Sequence, residues 1–159
     1  MLSVLALVGI AQSAEPQATV ADDGLTVRYF VPHDVAAVRA VLDDTDKVYG
    51  LSEDLVSYKV EDGGRCDSIE TEAPGLLSNL RMRTERCQTS ETSWRDRLVS
   101  SDDFDQYEVL WTVKAVEGGT VITYHLAAEL SFPVPDKVMY QQAGEAAITQ
   151  LENIYRALE

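Results

Sequence analysis

The sequence predicts an α+β domain: an antiparallel meander of about seven strands with its helices gathered on one face. Three observations carry this. Short segments of alternating apolar and polar residues follow one another between residues 55 and 131, the period of half-buried strands. Turn residues punctuate them, as in Asp62-Gly63-Gly64 and Glu117-Gly118-Gly119. One long helical pattern closes the chain over residues 136–158.

Residues 24–31 alternate and are rich in β-formers, which predicts the first strand. Pro32-His33-Asp34 stops it. Asp34 is a good N-cap, and Val35, Val38, Val41 and Leu42 share one face of a helix running to about residue 43. Residues 45–51 predict a second short helical turn. Six strands follow, over 55–61, 66–73, 79–88, 94–100, 107–116 and 120–131. Pro133 and Pro135 break the sheet before the last helix. No internal repeat or low-complexity block follows residue 24.

Residues 2–11 form an apolar run broken only by Ser3 and Gly9, and end in Ala11-Gln12-Ser13-Ala14 before Glu15-Pro16. This reads as a secretory signal peptide over residues 1–14, cut after Ala14. The competing reading is a buried N-terminal strand or helix. Residues 15–23 then form a flexible leader, and the domain occupies 24–159. Export places the protein in the periplasm or outside the cell.

Acidic residues outnumber basic ones 27 to 13, a formal charge of −14. A phosphate backbone is repelled by that field, so nucleic acid is excluded as a partner. The basic residues never cluster, which removes a polybasic grip on anionic lipid. No apolar run reaches the roughly 20 residues of a transmembrane segment.

Export also carries Cys66 and Cys87 into an oxidising compartment. A hairpin of strands 66–73 and 79–88 can be registered so that Cys66 faces Cys87. Glu70 then faces Arg83, and Glu72 faces Arg81, all on one side of the sheet. The other side carries Ile69 opposite Thr84, Thr71 opposite Met82 and Ala73 opposite Leu80. A one-residue slip loses all three matches, so a Cys66–Cys87 disulfide is expected. Two cysteines lack the spacing of a zinc site, and no metal or cofactor is expected.

Strands 107–116 and 120–131 each present an apolar face: Tyr107, Val109, Trp111 and Val113 on one, Ile122, Tyr124, Leu126, Ala128 and Leu130 on the other. The final helix opposes them with the stripe Tyr140, Ala143, Gly144, Ala147, Leu151, Ile154, Tyr155 and Leu158. Its last turns are bulky and its first turns nearly bare. Either the helix lies close to the sheet there, or a cavity remains.

The run of the first strand into Pro32-His33-Asp34-Val35, the helix ending at Asp43-Asp44, the long strand pair around Glu117-Gly118-Gly119-Thr120, and Phe132-Pro133-Val134-Pro135 before the last helix resemble the START-like, or SRPBCC, superfamily. The resemblance covers residues 24 to 158. It implies a helix-grip fold: a curved antiparallel sheet around a long C-terminal helix, with two short helices after the first strand. Polyketide cyclases and lipid-transfer domains belong to this superfamily. Many relatives carry Trp then Pro where this chain has Tyr49-Gly50-Leu51. The resemblance further implies a cavity between sheet and helix for a hydrophobic small molecule or lipid. Its lining would be Met82, Trp94, Val109, Trp111, Tyr124, Leu126, Ala128, Ala143, Gly144 and Ala147.

Catalytic candidates are thin. His33 sits at a strand–helix junction and His125 on the outward face of its strand, without metal or triad spacing. Asp67 and Arg86 oppose each other on the inward face of their hairpin, and Asp96 points inward beside Trp94 and Leu98. A carboxylate in an apolar cavity can act as a general base; more commonly it is an ion pair. No residue is assigned a catalytic role. The sequence favours a carrier of a hydrophobic ligand over a cyclase- or dehydratase-type enzyme, or over an interaction module with a filled core.

Overall fold

The computed structural model describes residues 15–75 and 77–159. The expected signal peptide lies outside these residues. Eight strands form one antiparallel sheet, one more than expected. The additional strand is β1 (Gln17–Ala21), which pairs with β2 (Gly24–Val31) through the turn at Asp22-Asp23. Residues 17–21 are therefore an edge strand rather than flexible leader. The sequence signal was weak because every β1 side chain is exposed, so no apolar alternation marks it. Gly24 is required at this turn: its φ is +132°, and a Cβ there would lie 2.1 Å from the Leu126 carbonyl oxygen.

After β2 come α1 (Val35–Leu42) and α2 (Thr45–Gly50). Asp34 caps α1 by accepting from the Ala37 N–H at 2.8 Å, and Asp44 caps α2 through Lys47 N–H at 3.1 Å. The meander then runs through β3 (Ser57–Asp62), β4 (Cys66–Ala73), β5 (Leu80–Ser90), β6 (Ser93–Ser100), β7 (Phe104–Val116) and β8 (Gly119–Leu130), and α3 (Asp136–Leu158) closes the chain. The sheet order is β1-β2-β8-β7-β6-β5-β4-β3. Since β2 and β3 lie far apart in that order, α1 and α2 must cross the concave face to join them.

The β4–β5 register places Cys66 opposite Cys87, Glu70 opposite Arg83 and Glu72 opposite Arg81. The disulfide is formed, with the two Cα atoms 4.4 Å apart. Arg83 pairs with Glu70, and Arg81 with Glu72 at 3.3 Å, all on the outer face.

β7 begins at Phe104, three residues earlier than its alternation predicts. The register slips by one between Phe104 and Gln106, and this bulge hides the strand from a period-two reading. It also lets Phe104 and Tyr107 meet edge to face, with centroids 5.5 Å apart. The Asp105 carboxylate accepts from the Ser131 hydroxyl at 2.8 Å.

The core lies between the concave face and the helices. Leu25, Val27 and Val31 of β2, Ile122 and Leu126 of β8, and Leu151 and Ile154 of α3 are buried in it. Helix α3 packs on β2 and β1, while α1 packs on β7, β8 and α3. Among the described residues no helix is long and apolar enough to cross a membrane.

Candidate functional site

The concave face changes character from one end to the other. β2, β8 and β7 present Leu25, Leu126 and Val109 in one cross-strand row. The same row continues into Asp96 on β6, Arg86 on β5 and Asp67 on β4. An apolar wall thus runs directly into a line of three charged side chains.

Arg86 and Asp96 are 3% and 4% exposed. The Arg86 Nη1 donates to Asp96 Oδ1 at 2.8 Å, and its Nη2 donates to the Leu42 carbonyl at 2.9 Å. That carbonyl belongs to the last turn of α1, where backbone acceptors lack helical partners and a cation is favoured. The guanidinium also lies 5.8 Å from the Trp111 ring centroid. Asp96 Oδ2 accepts from the Tyr49 hydroxyl at 3.2 Å and from Trp111 Nε1 at 3.4 Å. The expected opposition of Asp67 and Arg86 holds in register, but Arg86 takes Asp96 as its ionic partner. Asp67 accepts from the Thr45 hydroxyl instead. Trp94 Nε1 donates to Asp43 at 3.0 Å. These contacts fasten the α1–α2 corner to the sheet.

Three tyrosines stand around the ion pair, and their hydroxyls are all shifted upward. Tyr49 is raised well above the usual value by burial, and next by the Asp96 charge. Burial followed by Asp96 also raises Tyr107. Tyr124 is raised by burial, then by Tyr107 and Asp96. All three remain neutral donors at physiological pH. Asp96 has both oxygens engaged by donors, which makes it a poor candidate for a general base.

The ten expected lining residues divide into two groups. Trp94, Val109, Trp111, Tyr124, Leu126, Ala128, Gly144 and Ala147 are buried in the core. Ala143 and Met82 are half-buried. At Gly144 the helix lies close to the sheet: a Cβ there would sit 3.6 Å and 3.7 Å from the two Leu25 methyls. The Tyr140 hydroxyl reaches the Ala128 backbone N–H and C=O, each at 3.2 Å. Helix and sheet are therefore in contact along this edge.

Away from α3 the concave face is less completely covered. Tyr49, Leu51, Phe104 and Tyr107 pack on the core yet stay half-buried. Tyr58 on β3 reaches across to α2, its ring 6.4 Å from that of Tyr49. At this end a groove of about 720 Å³ is lined by Tyr58, Thr71 and Met82, together with Ser100, Ser101 and charged rim residues including Arg81 and Glu72. A second hollow of about 430 Å³ lies between α1–α2 and β3–β4, bordered by Asp43, Asp46, Asp62 and Asp67.

The histidines lie outside these features. His33 Nε2 meets Glu159 at 3.3 Å, and His125 Nδ1 meets the Thr26 hydroxyl at 2.8 Å. Among the described residues, Cys66, Cys87 and Glu85 bring potential metal ligands together, but both sulfurs are spent in the disulfide. Tyr49, Thr84 and Tyr107 were not among the site residues expected from sequence. Thr84 and Tyr107 could have been found from strand register, as inward positions beside Arg86 and Asp96. Tyr49 has no local signal, because it reaches Asp96 across a separation of 47 residues.

No protein-family model matches the sequence, and no curated protein matches it either. Solved structures do. A START superfamily protein from Mycobacterium smegmatis superimposes with a TM-score of 0.71 at 14% identity, covering 84% of this chain and 94% of its own. The Zhui aromatase/cyclase from Streptomyces sp. R1128 gives 0.66 at 10% identity, covering 91% and 94%. A STAR-related lipid transfer protein from Xanthomonas axonopodis gives 0.65 at 12% identity, covering 91% and 98%. The chain has the START-like helix-grip fold.

Proposed function

We propose that the protein is an exported carrier for a hydrophobic small molecule or lipid, held on the concave face of the sheet. The observation that carries this reading is the unequal cover of that face. Helix α3 closes it over β2, while Tyr49, Leu51, Phe104, Tyr107 and Met82 stay half-buried. Apolar side chains converging on a concavity with a few placed polar groups are what a small-molecule site needs. Two of the structural neighbours are a lipid transfer protein and an aromatase/cyclase, and a hydrophobic ligand would suit this face equally. The ligand body would lie near Met82, Tyr107 and Ala143, with the buried residues Trp94, Val109, Trp111, Tyr124, Leu126, Ala128, Gly144 and Ala147 forming the floor behind it.

A cyclase- or dehydratase-type enzyme is the less favoured reading, since Asp96 is held by Arg86, Tyr49 and Trp111. Export is part of the proposal. It rests on the apolar run over residues 2–11 and the small residues before Glu15, and a disulfide agrees with it. Mature protein recovered outside the cytoplasm should begin at Glu15 on N-terminal sequencing.

The carrier test is organic extraction and mass spectrometry of protein purified from its native compartment, alongside binding of the neutral dye Nile red. Co-purifying lipid and saturable dye binding are expected. Met82→Trp should narrow the groove and weaken the dye while preserving the fold. Absence of both extractable ligand and dye binding would defeat the proposal.

A further inference from the structure

The two edges of the sheet are finished differently. β3 carries Lys59, Glu61 and Asp62 and is approached by α2, and charge on an edge discourages further pairing. β1 reads Gln-Ala-Thr-Val-Ala, without a charge, and among the described residues it has a strand on one side only. Its core side is also left open. Ala18 and Val20 pair with Val27 and Leu25 and so share their face. Val27 and Leu25 are buried, yet Ala18 is exposed and Val20 is 54% exposed. The cover stops at β2, where Gly144 of α3 meets Leu25. The flank of α3 nearest this edge can be identified. Gln150 and Asn153 donate to the Val48 and Leu51 carbonyls on the α2 side. Tyr155 instead packs edge to face on Tyr29 of β2, with centroids 5.9 Å apart. Steps of three and four from Tyr155 put Glu152, Ile148 and Glu145 on the same flank. Since α3 passes close to β1, this flank and the β1 edge lie side by side.

We infer that β1 takes an extended, basic segment of a partner protein as a ninth strand, laid alongside this flank of α3. The segment's backbone pairs with the β1 N–H and C=O groups that point away from β2, and its side chains fall alternately on either face. On the core side, apolar residues of the segment cover Ala18, Val20 and the half-buried Ile148. Charge selects its flanking residues. Asp22 and Asp23 close one end of β1, and Glu145 and Glu152 stand on the helix. Arg28 is the single cation of β1 and β2. Lysine or arginine at the ends of the segment complements this field. The same field disfavours a second copy of the chain. An antiparallel copy centred on Thr19 sets Glu15 of one chain against Asp23 of the other, between two bodies of charge −14.

The probe is a fluorescently labelled peptide, Lys-Lys-Val-Thr-Val-Thr-Val-Lys-Lys, titrated with the full chain and read by anisotropy. It should bind at least tenfold more tightly than a version with Pro at its central Val, and than one with Glu for every Lys. Val20→Lys places a charge on the core side of the edge, as natural edges do to prevent pairing, and should weaken the basic peptide at least tenfold. Val99→Lys, the same change at an exposed site on β6, should leave it within twofold. Hydrogen exchange should show the β1 amides that point away from β2 gaining protection when the peptide is added. Absence of binding overturns the inference, as does equal binding of the basic and Pro peptides, or a Val20→Lys variant that binds like the native chain. Protection of those amides before any peptide is added assigns the edge to the chain itself, through residues 1–14 or a second copy, and overturns it likewise. If Val20→Lys fails to fold, the Pro comparison and the exchange of the native chain decide.

Discussion

Arg86 on β5 and Asp96 on β6 are direct cross-strand partners, and their side chains meet at 2.8 Å in the interior of the domain. Around this one contact the α1–α2 corner and the tyrosine cluster are assembled. A buried pair of this kind is not in itself a source of stability, because desolvation offsets the attraction. Its removal on one side only is another matter.

Asp96→Ala should therefore destabilise the fold by about 3–5 kcal/mol, since it leaves the Arg86 guanidinium buried without its counter-charge. Replacing both partners by apolar residues, as in Arg86→Met with Asp96→Leu, should recover much of that loss. Urea unfolding of the two variants checks the ordering. A double variant less stable than Asp96→Ala would contradict it.

Alkaline pH should unfold the protein through the tyrosines. Tyr49, Tyr107 and Tyr124 are all raised from 10.0 by burial first and by neighbouring charge second. In the unfolded chain they ionise near the ordinary value, so the folded state holds more protons above it. Stability is then intact below pH 10 and falls as pH rises beyond it. With three such groups the slope approaches about 4 kcal/mol per pH unit. Phenolate absorbance should show incomplete ionisation in the folded protein and a cooperative rise on unfolding.

The disulfide joins residues 21 apart in sequence. Closing a loop of that length should contribute about 3 kcal/mol, chiefly by restricting the unfolded chain. Cys66→Ser with Cys87→Ser should lower the denaturant midpoint accordingly and abolish the effect of added reductant. A midpoint unchanged by the double substitution would show the cross-link to be energetically silent.

At Gly144 a methyl group meets the Leu25 side chain at ordinary contact distance. Gly144→Ala should then raise stability by about 0.5–1 kcal/mol, through helix propensity. Gly144→Phe should instead cost roughly 1–3 kcal/mol by overpacking against β2. Thermal melts of both variants separate contact from void at this point of the helix. A Phe variant as stable as the native chain would mean that space remains there.

The sequence by itself determined the order of the helices and most of the strands, the N-cap Asp34, and the β4–β5 register that joins Cys66 to Cys87. These rest on short-range physics: the side-chain period of a strand or helix, the capping of a first turn, and charge pairing between adjacent strands. Tertiary structure alone decided the rest. β1 shows no alternation because both its faces are exposed, and the bulge at Asp105 breaks the period that would have extended β7 to Phe104. The β5–β6 register set Asp96 beside Arg86, on the side away from the expected Asp67. The α1–α2 corner, by supplying Thr45 to one carboxylate and Tyr49 to the other, completed each partner set. Whether the small residues of α3 meant contact or cavity depended on how far the helix stands from Leu25, a distance that no local pattern encodes.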